Sequence, residues 1–181
     1  TVGIFGLGAI GKHVARMAKS FDMKVIATKR NINPSDHQME NVDELLPTKE
    51  FDDLISQSDY LVLSCPLSDE TRGIMNEGKL KKMKPDSYLI NVSRGEVVDE
   101  KALVKALKEE WIAGAGLDVT AIEPLPQSSP LWEMKNVVLS PHASAMTASL
   151  IHERRAIFKS NLRHLIANEP FVYTVDKESG F

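Results

Sequence analysis

The chain has 181 residues, 43% of them hydrophobic and 26% charged, which is the make-up of a soluble globular fold long enough to bury a sizeable core. Its 22 Lys and Arg against 25 Asp and Glu give a net charge of −3, so it lacks the broad positive field that draws a protein to nucleic acid or an anionic membrane. Cys65 is the one cysteine, which excludes a disulfide scaffold and suits a reducing cytoplasm.

The chain opens inside an apolar run, Val2–Phe5, that predicts a strand; natural chains seldom start within a core strand, so a preceding segment is expected. Ile10, Val14, Met17 and Ala18 share one face of a helix predicted over Ile10–Ser20. Lys24–Thr28 predicts a second strand. Asn31–Lys49 is polar, contains Pro34 and Pro47, and reads mostly as loop. A short helix over Phe51–Ser56 precedes a third strand, Tyr60–Ser64, which Pro66 stops. Glu77–Met83 reads as a short helix and Ser87–Val92 as a fourth strand. Ala102, Leu103, Ala106 and Leu107 repeat at helical spacing within Glu100–Glu110. Ala113–Val119 and Val137–Ser140 predict two more strands, followed by a long helix over Ala145–Ala167 and a tail with Pro170. The longest apolar run, around Tyr60–Leu67, is interrupted by Ser64 and Pro66 and is too short to span a membrane; no signal peptide is expected.

Strands separated by helices imply right-handed crossovers and a parallel sheet, and near-continuous apolar strands fit a sheet covered on both faces. The expected fold class is α/β, an open doubly wound parallel sheet. Such sheets bind ligands beyond the carboxyl ends of their strands, so the residues just after each strand carry the function.

Gly6-Leu7-Gly8-Ala9-Ile10-Gly11 matches G-x-G-x-x-G between a predicted strand and helix. The backbone of Gly6, Gly8, Ala9, Ile10 and Gly11 is the expected pyrophosphate cradle: Gly6 permits the turn, Gly8 the anion's approach, and Gly11 close helix packing. NAD-binding folds usually place an acidic residue at the end of the second strand to hold the ribose hydroxyls. Here the sequence reads Thr28-Lys29-Arg30, with two cations and no carboxylate. Those cations suit the 2′-phosphate of NADP, with NAD the second choice; solvated surface charges are the plainer reading of the pair. Cys65 and Pro66 after the third strand, and Val92 and Ser93 at the end of the fourth, are further candidate cofactor contacts. Arg94, Glu123 and His142 all follow strands and can converge on the same edge of a parallel sheet.

Several ordered motifs then point to a family. GLGAIG at 6–11, CPLSDETRG at 65–73, INVSRGEVVDEKAL at 90–103, GAGLDV at 114–119, EPLP at 123–126 and SPHAS at 140–144 resemble the nucleotide-binding domain of the D-isomer-specific 2-hydroxyacid dehydrogenases. The resemblance implies a Rossmann-like domain over 1–144 and an oxidoreductase that moves hydride between NADP or NAD and a small 2-keto or 2-hydroxy acid of the glyoxylate/hydroxypyruvate type. It also assigns Arg94, Glu123 and His142 as the catalytic set. Arg94 would hold the keto acid's carboxylate with its planar fork. His142 would protonate the developing alkoxide, since imidazole titrates near neutrality. Glu123 would fix the His142 ring and stabilise imidazolium, and Asp118 would orient the nicotinamide carboxamide. Relatives that oxidise formate carry glutamine at the position of Glu123, so Glu123 speaks against that activity.

Two departures stand out. Ala9 replaces a polar residue that many relatives aim at the pyrophosphate, and Thr120-Ala121-Ile122 replaces a stretch that is often aromatic and acidic. Relatives also have a flavodoxin-like substrate domain, absent here, toward which 145–181 is expected to cross; a fragment of this kind is expected to bind cofactor but turn over poorly. A homodimer is expected by resemblance, with no nucleic-acid, membrane or metal partner, and the spacing of His13, His37, His152 and His164 fits no metal site. The rival reading is a nicotinamide-sensing module of the corepressor type, which also keeps Arg, Glu and His.

Overall fold

A computed structural model of the chain describes residues 1–33, 39–175 and 177; His37 lies outside the described residues. The chain divides into two compact units, Thr1–Pro141 and His142–Phe181.

In the first unit, short apolar runs form seven strands: β1 (Val2–Phe5), β2 (Val25–Lys29), β3 (Glu44–Pro47), β4 (Tyr60–Leu63), β5 (Tyr88–Asn91), β6 (Gly114–Leu117) and β7 (Val137–Leu139). They build one sheet in the order β3-β2-β1-β4-β5-β6-β7, and every pairing is parallel. The register puts Phe5 opposite Thr28 and Leu63, and Leu63 opposite Asn91, so the carboxyl ends line up along one edge. The helices are α1 (Ala9–Lys19), α2 (Phe51–Gln57), α3 (Glu77–Leu80) and α4 (Glu100–Lys108).

Alternate residues along each strand feed two cores. Phe5, Ile26, Leu61, Leu63 and Leu89 pack with residues of α2, α3 and α4, while Ile4, Val25, Ala27 and Val62 pack with Ala15 and Ala18 of α1. This is a doubly wound α/β sheet, as the strand–helix alternation predicts.

The stretch Asn31–Lys49 is not only loop, because Glu44–Pro47 forms β3. It is an edge strand with a ladder to β2 alone, and its Pro47 stands at its last position, where a missing N–H is tolerated. The α3 helix stops at Leu80, short of the predicted Met83, and a 3-10 turn at Pro130–Glu133 was not predicted. In the second unit, α5 spans Leu150–Ala167, starting five residues later than expected, and ends on Asn168 in the left-handed conformation, a common helix stop. The tail returns to it, with Asn161 accepting from the Val172 N–H at 2.9 Å and donating to the Val172 carbonyl at 3.2 Å.

Candidate functional site

The turn after β1 is built from close backbone contacts. Gly6 adopts φ +102°, and a Cβ there would lie 2.8 Å from the Cα of Cys65. The β1 turn therefore touches the residue that follows β4, at the point where the strand order reverses. Ser64 Oγ locks the two by donating to the Gly6 carbonyl at 2.8 Å. A Cβ on Gly11 would come within 2.5 Å of the same carbonyl, so α1 starts against the turn. Gly8 differs: it is exposed, and no atom of the described residues lies within 4 Å of its Cβ position. It caps α1 without a side chain, and the first turn of α1 has no acidic residue. Open space over helix amides at the positive end of the helix is what a pyrophosphate needs.

At the end of β2, Thr28 is fully buried, and its Oγ1 has no hydrogen-bond partner among the described residues. Lys29 beside it is half-buried. Arg30 is exposed and lies 3.7 Å from the Glu70 carboxylate. An orphaned hydroxyl, two cations and the space over Gly8 fit the ribose and phosphates of a dinucleotide. Cys65 is buried, and burial pushes its thiol up to about 11, against the pull of a Ser93 hydrogen bond; it stays protonated at neutral pH and packs rather than reacts.

Arg94 and Glu123 sit on neighbouring loops. Arg94 is exposed just beyond β5, with Nη1 donating to the Ser93 carbonyl at 2.7 Å. The next residue, Gly95, is buried so tightly that a Cβ would meet the Thr120 carbonyl carbon and oxygen at 2.0 Å and the Ala121 nitrogen at 2.4 Å. Glu123, also exposed, accepts from the Thr120 N–H at 3.1 Å through Oε1. The Glu123–Pro124 peptide is cis. Asp118 is buried at the end of β6 and accepts from Ser140 Oγ at 2.6 Å, which ties β6 to the end of β7. His142 opens the second unit with φ +53°, a left-handed conformation uncommon outside glycine and of the kind that gathers at functional sites. Of the other histidines, His13 is exposed on α1, and His152 is exposed on α5. His164, also on α5, has Nδ1 hydrogen-bonded to the Pro170 carbonyl. Among the described residues no group of three or more His, Cys, Asp or Glu could hold a metal ion, and no helix is long and apolar enough to cross a membrane.

Two residues that shape these loops were not singled out from sequence. Asn91, 1% exposed, accepts from the Ser93 N–H at 3.0 Å and from Ser93 Oγ at 2.8 Å, and donates to the Arg94 carbonyl at 2.8 Å. An Asn two residues before a Ser after a strand is an Asx-turn signal that could have marked it. Glu100, the first residue of α4, accepts from the Ala121 N–H at 3.1 Å; no spacing rule points to it.

A doubly wound parallel sheet with a glycine turn at its switch point, opening onto a free helix start, defines a dinucleotide-binding domain. The model of the D-isomer specific 2-hydroxyacid dehydrogenase family, NAD binding domain, matches residues 1–144, and the chain belongs to that family. A glyoxylate reductase of Korarchaeum cryptofilum is 47% identical over 156 residues, covering 86% of this chain and 45% of that protein. A D-isomer specific 2-hydroxyacid dehydrogenase from Xanthobacter autotrophicus Py2, solved with NADPH and MES, superposes with a TM-score of 0.90 at 34% identity, covering 99% of this chain and 72% of the other. An NADPH-dependent glyoxylate/hydroxypyruvate reductase from Sinorhizobium meliloti, solved with NADP and sulfate, gives a TM-score of 0.90 at 29% identity, covering 99% and 56%. The chain spans about half the length of the curated relatives it matches.

Proposed function

We propose that the chain is the cofactor-binding part of an NADP-preferring reductase of small 2-keto acids such as glyoxylate and hydroxypyruvate. The observation that carries this reading is the contact of the Arg94 and Glu123 loops through Gly95 and Thr120, on the sheet edge that also bears the glycine turn. Glyoxylate reductases among the relatives support the substrate class. Residues 1–144 are read as the dinucleotide-binding domain, with 145–181 returning toward a substrate domain.

When bound beside these residues, a nicotinamide cofactor would supply the hydride that reduces the keto carbon. Arg94 binds the substrate carboxylate through its two-pronged guanidinium and orients the adjacent carbonyl. His142 donates a proton to the oxygen as negative charge develops there. Glu123, by its place in the family motif, would stabilise the charged form of the imidazole. In the reverse direction His142 takes the hydroxyl proton. Asp118, which accepts from Ser140 Oγ, would hold the carboxamide of the nicotinamide. Cys65, Pro66, Val92 and Ser93 would line the cofactor.

Lys29 and Arg30 support the preference for a 2′-phosphate, as does the absence of a carboxylate in Thr28–Arg30. The two solved relatives described above are complexes with NADPH and NADP. A homodimer belongs to the same reading through family membership, and light scattering of the full-length protein tests it.

Substitution tests the catalytic set. Arg94→Ala and His142→Ala in the full-length protein are expected to lower kcat/KM for glyoxylate by on the order of a hundredfold or more. Turnover close to wild type in either variant removes that residue from the set.

A further inference from the structure

Two carboxylates grip consecutive amides of the loop that follows β6. Glu123 Oε1 accepts the Thr120 N–H and Glu100 Oε2 accepts the Ala121 N–H, each at 3.1 Å. Glu123 is part of the loop it grips, whereas Glu100 stands on α4. That helix is firmly seated. Its Asp99 cap accepts from the Ala102 N–H at 3.1 Å and its own N–H bonds the Met75 carbonyl at 3.0 Å. Ala102, Leu103, Ala106 and Leu107 anchor its inner face in the core. The same two loop residues rest on Gly95, where there is no room for a Cβ. The loop is thus held between the residue after Arg94 and a carboxylate mounted on a rigid helix. The start of α4 also favours a negative charge at Glu100.

We propose that Glu100 is a positioning residue for catalysis: by holding the Ala121 amide it fixes the spacing between Arg94 and Glu123. It rests on the reading of Arg94 and Glu123 as catalytic. In this role Glu100 acts through the Ala121 amide. A backbone slip of an ångström in the 118–123 loop carries Glu123 with it and leaves the glycine turn untouched, so the effect falls on turnover and not on cofactor affinity.

The test is steady-state reduction of glyoxylate by the full-length protein, with NADPH affinity followed by fluorescence and Tm by calorimetry. Glu100→Ala is expected to lower kcat by about tenfold to a hundredfold while the Kd for NADPH stays within about twofold. Glu100→Gln keeps an oxygen that can accept the Ala121 N–H, and is expected to restore kcat to within about threefold of wild type. Wild-type kcat in Glu100→Ala, or equal losses in the Ala and Gln variants, overturns the proposal. Should Glu100→Ala not fold, Glu100→Ser serves in its place, being a good residue for a helix start but too short to reach Ala121. Glu123→Gln separates the two levels. If it leaves kcat intact, the reading of the site itself fails; if it lowers kcat and Glu100→Ala does not, only the role of Glu100 falls.

Discussion

Asn91 ends β5 with its side chain sealed from water, and all three of its side-chain hydrogen bonds go to Ser93 and Arg94. The amide is needed for both halves of its chemistry. Its oxygen accepts from Ser93 and its nitrogen donates to the carbonyl of Arg94. In Asn91→Asp the second oxygen would face that carbonyl with no proton between them, and a buried unsatisfied pair costs about 1–3 kcal/mol. The expected outcome is a fall of about 2 kcal/mol in unfolding free energy by urea titration, together with a raised KM for glyoxylate as Arg94 shifts. An unchanged urea midpoint would show that the amide does not hold this turn. Arg94, Glu123 and His142 were singled out in the sequence by the ordered family motifs that contain them and by their place in loops beyond strands. Asn91 and Glu100 were not, because their partners are backbone amides and carbonyls, which have no letter in a sequence.

Among the elements, β1, β2, β4, β5 and β6 were readable because strands buried on both faces must be apolar almost throughout, as Val2–Phe5 and Tyr60–Leu63 are. The edge strand β3 escaped because it obeys a weaker rule. Glu44, Leu45 and Pro47 are only half-buried; Leu46 alone is buried in a core, while Leu45 packs against the edge of the other. Four residues with a charge at one end and a proline at the other look like loop, and only the ladder to β2 makes them a strand. Leu46 should therefore account for much of β3's attachment. Leu46→Ala is expected to destabilise by about 2 kcal/mol, at the low end for a buried leucine because an edge can collapse into the gap. Chemical denaturation measures this, and a loss below about 0.5 kcal/mol would mean that the ladder, not Leu46, holds the edge. The late start of α5 at Leu150 has the same kind of cause: Ala145–Ser149 carries no strong helix breaker, so the pattern extended the helix too far.

At the scale of the whole molecule, the sheet unit carries carboxylates held below their usual range by lysine hydrogen bonds. Lys19 does this for Asp43, Lys79 and then Lys82 for Asp52, Lys84 for Asp59, and Lys81 for Glu77. A lowered folded value means that the stabilisation is present above the unfolded values of 3.8 for Asp and 4.5 for Glu, and is lost as pH falls through the folded ones. Tm is expected to hold down to about pH 5 and then fall, less steeply in Asp52→Asn and in high salt, because these pairs are exposed and screened. An equally steep fall in Asp52→Asn would take Asp52 out of the acid response. The larger claim is that the sheet edge binds a nicotinamide cofactor and, with the rest of the protein, spends it on 2-keto acids. Its most direct test is the steady-state oxidation of NADPH and NADH by the full-length protein with glyoxylate, hydroxypyruvate and pyruvate. The expected result is turnover with glyoxylate or hydroxypyruvate and a higher kcat/KM with NADPH. Tight NADPH binding with no oxidation by any of the three acids would contradict it and make the protein a sensor of the cofactor instead.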